Sequence, residues 1–233
     1  MIGPMNESPF DGVLCDFDGV VHLWDPDGMA ALDRAWGLTE GTLASAAFEP
    51  ELLHSAVTGR LTDEQWRSQV ADDLTGLCGS PERAGELVAT WGALTGRVDA
   101  EVVDLLDAVR RRAPVVLVSN ATTRLESYLA AVGLDQAFDA VVNTARIGMA
   151  KPNPRVFETA AGRLGIDAKR CLFVDDTLGN VTAARAAGLT GLHYREIGQL
   201  RSAVRPLLDI GLDAGPGARP STGPRSWSSA SRT

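Results

Sequence analysis

The chain has 233 residues and a mass of 24.6 kDa, with 45% hydrophobic and 22% charged residues and a mean hydropathy of −0.01. Those are the proportions of a soluble globular protein, long enough for one large domain or two modest ones, and they exclude a fibrous, disordered or membrane-embedded chain. The 22 basic and 30 acidic residues leave −8 overall and −11 up to Asp213, since three Arg and no acid follow it, so neither nucleic acid nor an anionic membrane is an expected partner.

No apolar run approaches the roughly 20 residues that span a bilayer. The segment Met1–Glu7 has neither the basic region nor the apolar stretch of a secretory signal. Three cysteines, Cys15, Cys78 and Cys171, with no CxxC pair, argue against a disulfide scaffold or a zinc site and fit a reducing cytoplasm.

In chain order, residues 1–9 read as a frayed start. The run Gly12-Val13-Leu14-Cys15 is apolar, too short for a helix and ends abruptly in polar residues, which predicts a buried parallel strand. Residues 22–96 hold no convincing strand but carry helical stretches near Gly28–Trp36, Pro50–Thr58, Asp63–Leu74 and Pro81–Thr95. Thr62 and Ser80 open the last two as capping hydroxyls followed by acids. This segment reads as an inserted helical domain. Beyond it, strands at Val115–Val118, Ala140–Val142, Cys171–Val174 and Gly191–Tyr194 alternate with helices over Ala100–Arg112, Arg124–Val132, Pro154–Leu164, Asn180–Ala187 and Ile197–Leu208. The alternation predicts an α/β fold, a Rossmann-like parallel sheet with helices on both faces. The expected division is a core over 10–21 and 97–212, a helical insertion over 22–96, and a disordered tail over 213–233 rich in Gly, Pro and Ser.

Polar clusters mark the C-terminal edge of the predicted sheet, where open α/β sheets bind ligands. Asp16-Phe17-Asp18-Gly19-Val20 follows the first strand, Ser119-Asn120 follows Val115–Val118, Lys151-Pro152 precedes a helix, and Asp175-Asp176 follows Cys171–Val174. Strand alternation would turn Asp16 and Asp18 toward one pocket, and Gly19 permits a sharp turn out of the sheet. Two like charges about 4 Å apart repel by roughly 4 kcal/mol at an effective dielectric near 20. Gathered carboxylates therefore require a cation or raised pKa values. Carboxylate oxygens with an open face suit Mg²⁺ shared with a phosphate, while Lys151, Ser119 and nearby backbone N–H groups supply the remaining positive charge and donors. The combination points to phosphoryl transfer, with a carboxylate nucleophile as one recognised route.

In order and in strand context, Asp16-Phe17-Asp18-Gly19-Val20, Val118-Ser119-Asn120, Lys151-Pro152 and Val174-Asp175-Asp176 resemble the four motifs of the haloacid dehalogenase-like hydrolase superfamily. The likeness runs from Phe10 to about Leu208, and the segment 22–96 resembles that superfamily's alpha-helical type 1 cap. Gly59-Arg60-Leu61-Thr62 ahead of Trp66 is similar to caps of the branch holding small sugar-phosphate phosphatases. The resemblance implies a Mg²⁺-dependent phosphatase acting on a small phosphomonoester through an aspartyl phosphate. Asp16 would be nucleophile and metal ligand. Asp18 would be the general acid/base, with its backbone carbonyl on the metal. Ser119 and the Asn120 backbone would bind phosphate, and Lys151 would neutralise nucleophile and phosphate. Of the acidic pair, the resemblance favours Asp176 as the direct metal ligand and gives Asp175 a supporting or water-mediated role, with the choice open. A small phosphorylated metabolite is the implied partner of a monomer or homodimer.

Two rivals share these motifs: a phosphomutase of the beta-phosphoglucomutase kind, and a non-catalytic binding protein on the same scaffold. Haloacid dehalogenation is disfavoured because the relatives that perform it lack an acid at the position of Asp18. Phosphonatase chemistry needs a cap lysine, and residues 22–96 contain none. Other side chains read as structural: His22 and His54 as packing or surface residues, His193 as a late-strand residue, Cys15 as a buried inert thiol. Trp24, Trp36, Trp66 and Trp91 read as packing of the insertion, with Trp24 the candidate for a substrate contact.

Overall fold

Strand β1 (Gly12–Cys15) is apolar and buried at every position, so it requires strands on both edges and helices on both faces. The computed structural model describes residues 8–209 and supplies both. After β1 come a two-residue strand β2 (His22–Leu23), then helices α1 (Gly28–Trp36), α2 (Thr42–Ala47), α3 (Pro50–Val57), α4 (Asp63–Cys78) and α5 (Pro81–Gly92), and a second short strand β3 (Arg97–Val98). The chain then alternates through α6 (Ala100–Arg110), β4 (Val115–Ser119), α7 (Leu125–Ala131), β5 (Ala140–Asn143), α8 (Thr144–Ile147), α9 (Pro154–Leu164), β6 (Cys171–Asp175), α10 (Leu178–Ala186), β7 (Thr190–His193) and α11 (Ile197–Asp209).

The main sheet has the order β5-β4-β1-β6-β7, and its neighbours all run parallel. Val13 faces Val115 on one side and Leu172 on the other, so β1 lies at the centre. Strand alternation divides the core into two layers. Val13, Cys15, Leu117 and Val174 pack with Leu106 of α6, Leu129 of α7 and Leu200 of α11. Leu14, Val116, Val118 and Phe173 pack on the opposite face with Val156 and Phe157 of α9 and Ala184 of α10. Phe157 and Phe173 meet edge to face with centroids 5.0 Å apart, a preferred aromatic geometry.

Helices α1–α5 bury a separate cluster that includes Leu43, Trp66, Val70, Leu74 and Leu87. Trp66 and Trp91 pack edge to face at 5.1 Å within it, as expected of packing residues. The chain leaves the sheet for these helices through β2 and returns through β3, and the two strands pair antiparallel, His22 opposite Val98 and Leu23 opposite Arg97. Neither strand is expected from sequence, β2 within 22–96 or β3 just after it, because two residues are too few to display an alternation. Helix α2 is likewise invisible in sequence. Its start is capped from a distance: the buried Asp33 carboxylate accepts from the Gly41 and Leu43 N–H groups at 2.8 and 3.0 Å, a tertiary substitute for a local N-cap.

No helix among the described residues is long and apolar enough to cross a membrane. The frayed start, apart from Ser8 and Pro9, and the tail expected over 213–233 lie outside the described residues.

Candidate active site

Adjacent parallel strands β4, β1 and β6 end side by side, so the polar residues that follow each are forced into one neighbourhood. Asp16 extends β1 by one ladder bond, its N–H donating to the Val174 carbonyl at 2.9 Å. Its carboxylate is nearly buried and Oδ1 accepts from the Phe17 N–H at 2.8 Å. The Lys151 ammonium lies 2.7 Å from the same Oδ1 and 2.7 Å from Asp175 Oδ2, and it donates to the Val118 carbonyl at 2.9 Å. Those three partners use all three ammonium protons.

Asp175 is fully buried and heavily solvated by protein: Oδ1 accepts from the Thr177 N–H at 2.8 Å, and the Asn180 side-chain amide lies 3.2 and 3.1 Å from its two oxygens. Asp176 is exposed and accepts from the Thr177 hydroxyl at 3.2 Å. His193 Nε2 lies 2.8 Å from the Asp176 carbonyl, so this histidine pins the loop that carries the acidic pair. One oxygen each from Asp16, Asp175 and Asp176 fall within 4.8 Å of one another. Gly19, at φ +79°, closes that space: a Cβ there would come 2.1 Å from Asp176 Oδ2, so neither the turn nor the contact tolerates a side chain.

Three acids and one lysine leave an excess of negative charge. Burial pushes the Asp16 carboxyl well above the usual carboxylate range, against the pull of Lys151 and with a further push from Asp175. The two carboxylates raise the Lys151 ammonium despite its burial, so it stays charged. Hard oxygen donors at this spacing and an unbalanced charge fit a divalent cation such as Mg²⁺. Cys15, next to the acid, is buried as expected, and that burial pushes its thiol far up.

Ser119 is buried at the end of β4. The Asn120 side chain forms a reciprocal pair with the Lys151 backbone, its amide donating to the Lys151 carbonyl at 2.9 Å and its Oδ1 accepting the Lys151 N–H at 2.8 Å. The two polar loops are thereby locked together. Beyond them Thr122 donates to Asp63 Oδ1 at 2.7 Å, the Asp63 N–H donates to the Thr123 hydroxyl at 2.9 Å, and Arg124 donates to the Gly92 carbonyl at 2.9 Å. Helices α4 and α5 are therefore docked on the loop that follows Ser119-Asn120.

Asp18 sits apart from this cluster. The chain does not continue as a strand after Asp16; the N–H groups of Val20, Val21 and His22 all donate to the Phe17 carbonyl in a tight turn. The expected strand alternation therefore does not set the direction of Asp18. Its carboxylate is partly exposed, and Oδ1 accepts from Trp24 Nε1 at 2.8 Å and lies 2.9 Å from His22 Nδ1. Sequence reading assigned His22 to packing or surface, because a lone histidine in an apolar stretch shows no partner. His54, by contrast, is exposed on α3.

The sequence matches the haloacid dehalogenase-like hydrolase family over residues 10–188. It is 29% identical over 219 residues, 88% of this chain and 95% of the relative, to Phosphatase MT3486 of Mycobacterium tuberculosis. It is 28% identical over 192 residues, 80% of this chain and 91% of the relative, to the sesquiterpene phosphatase astK of Aspergillus oryzae. The fold matches a haloacid dehalogenase family enzyme of Bacteroides thetaiotaomicron, in complex with magnesium and inorganic phosphate, with a TM-score of 0.64 and 19% identity over 80% of this chain and 94% of that one. The chain belongs to the haloacid dehalogenase-like hydrolase family.

Proposed function

We propose that the chain is a Mg²⁺-dependent phosphatase that hydrolyses a small phosphomonoester through a phosphorylated Asp16. The observation that carries this reading is the buried Lys151 ammonium shared by Asp16 and Asp175 at 2.7 Å each, with the third carboxylate of Asp176 beside them. Phosphatase relatives that align along most of the chain support it. Asp16, Asp176 and the Asp18 backbone carbonyl would hold the cation, with Asp175 contributing chiefly by fixing Lys151. When bound, Mg²⁺ supplies positive charge to the phosphoryl oxygens.

Lys151 and the Phe17 N–H fix the Asp16 carboxylate through Oδ1, and this carboxylate attacks phosphorus. The P–O bond to the leaving group breaks as Asp18 delivers a proton to the departing oxygen. In the second step Asp18 takes a proton from water, which attacks phosphorus and returns the Asp16 carboxylate and inorganic phosphate. Lys151 offsets charge throughout, and Ser119 with the Asn120 backbone orients the phosphate. Residues 22–96 act as a cap on a core of 10–21 and 97–212, excluding water and admitting small substrates.

The test is release of inorganic phosphate from p-nitrophenyl phosphate and from sugar, nucleotide and terpenoid phosphates, with Mg²⁺ and with chelator. Turnover should require Mg²⁺ and fall roughly a thousandfold or more in Asp16→Asn. Equal turnover by Asp16→Asn overturns the mechanism. An isomeric sugar phosphate in place of inorganic phosphate would make the chain a mutase.

A further inference from the structure

His22 is completely buried, and every polar atom of its ring is engaged. Nδ1 lies 2.9 Å from Asp18 Oδ1, and Nε2 lies 2.7 Å from the Tyr128 hydroxyl. That hydroxyl in turn accepts from the Gly96 N–H at 3.3 Å. The imidazole is stacked on Phe17 with centroids 4.9 Å apart and planes 5° apart, and it meets Trp24 and Tyr128 edge-on at 4.6 and 5.2 Å. The ring can neither slide nor rotate without breaking this box. A Cβ on Gly96 would lie 2.4 Å from His22 Cε1 and Nε2, so the backbone just before β3 closes one side of the box.

With a neutral His22 that carries its proton on Nδ1, the chain of contacts is satisfied throughout. The Gly96 N–H donates to the Tyr128 oxygen, the Tyr128 O–H donates to His22 Nε2, and the His22 Nδ1–H donates to Asp18 Oδ1. Burial and the nearby Asp18 charge raise the Tyr128 phenol, so it remains a donor. Trp24 Nε1 is a donor only, and it ends on the same Oδ1 at 2.8 Å. Oδ1 therefore carries two N–H donors and has no room for a proton of its own.

We propose that His22 and Tyr128 are positioning residues for Asp18: the relay from Gly96 fixes the carboxylate so that Oδ2 alone carries the proton given to the leaving oxygen and later taken from water. This rests on the reading of Asp18 as general acid/base. In the first step the Oδ2–H bond breaks as the proton joins the leaving oxygen and the P–O bond opens, leaving an ionised Asp18 whose Oδ1 is stabilised by both donors. In the second step Oδ2 regains a proton from the attacking water. The His22 Nδ1–H orients Asp18 and is not transferred in either step.

The experiment measures kcat/KM, which reports the first step, for phenyl, p-nitrophenyl and dinitrophenyl phosphate with the intact protein and Mg²⁺. A general acid matters for phenolate and little for dinitrophenolate, which departs without help; well-placed acids contribute about 10²–10⁴-fold. His22→Phe should lose about 10²-fold on phenyl phosphate and less than about threefold on dinitrophenyl phosphate. Tyr128→Phe, which keeps the ring and its packing, should show the same selectivity at roughly three- to tenfold, and His22→Asn should recover part of the His22→Phe loss by restoring one N–H donor. Losses equal across the three esters, or no loss in a folded Tyr128→Phe, overturn the proposal. Asp16→Asn separates it from the broader reading: if that variant retains turnover the phosphatase mechanism fails, whereas an inactive Asp16→Asn with flat losses in the His22 and Tyr128 variants sinks only the relay.

Discussion

Lys151 must balance two carboxylates at once, Asp16 and Asp175, each 2.7 Å from its ammonium. Removing one of them should relieve the metal-free fold. The raised Asp16 value means that its neutral form is favoured by folding, so its contribution is present below the ordinary carboxylate range and lost as pH rises through the raised value. Without metal, thermal melts should therefore show stability falling toward neutral and higher pH, and Asp16→Asn should remove that slope and melt higher at neutral pH. An Asp16→Asn that melts lower than the parent under those conditions would contradict the charge argument. At this scale Asp16 and Asp175 were legible in sequence because each directly follows an apolar run. His22 and Tyr128 were not, since 106 residues separate the pair that forms the 2.7 Å contact and neither carries a motif. The Thr177 N–H and the Asn180 amide hold Asp175 from only two and five residues on, yet neither residue type by itself marks a hydrogen-bond partner.

One tight turn at Phe17 joins β1 to β2, and β2 pairs with β3, so two very short elements set the geometry around Asp18. Gly96 just before β3 makes a test that leaves every hydrogen-bonding side chain in place. Gly96→Ala puts a methyl against the His22 ring, and it should lower kcat/KM on phenyl phosphate at least about fivefold more than on dinitrophenyl phosphate. An equal loss on both esters would mean the methyl damages the fold generally. Long elements were readable: α1 and α9 start and stop where the sequence suggests, bounded by Gly37 and by Pro154 and Gly165. Short ones were not. Strands β2 and β3 hold two residues each, and α2 depends on the distant Asp33 carboxylate, so their signals are tertiary.

Over the whole molecule, the charge excess at the strand ends predicts that a divalent cation is also a stabilising ligand. Mg²⁺ at about 100 times its dissociation constant contributes about 2.7 kcal/mol, which should raise Tm by roughly 5–10 °C for a chain of this size. Chelator should reverse the shift, and Asp176→Ala should abolish most of it; a melting curve indifferent to Mg²⁺ would remove the cation from the site. The alternation of strand and helix made the layered sheet legible. The seat of α4 and α5 on the Thr122-Thr123-Arg124 loop was not, because contacts such as Thr122 with Asp63 join segments 59 residues apart through hydroxyls that occur everywhere.

The central place of β1 in the sheet has a consequence for synthesis. This strand leaves the ribosome before either of its edges has a partner: Val13 pairs with Val115 and with Leu172, both made much later. At translation rates of about 5–20 residues per second, the strand preceding Asp16 waits several seconds for the first neighbour and longer for the second. Helices α1–α5 emerge in that interval and can collapse on their own apolar cluster. Production of this chain therefore favours hosts and temperatures that shield an early apolar segment. A nascent chain arrested before Cys171 carries Asp16 and Lys151 but neither β6 nor the Asp175 that shares the ammonium.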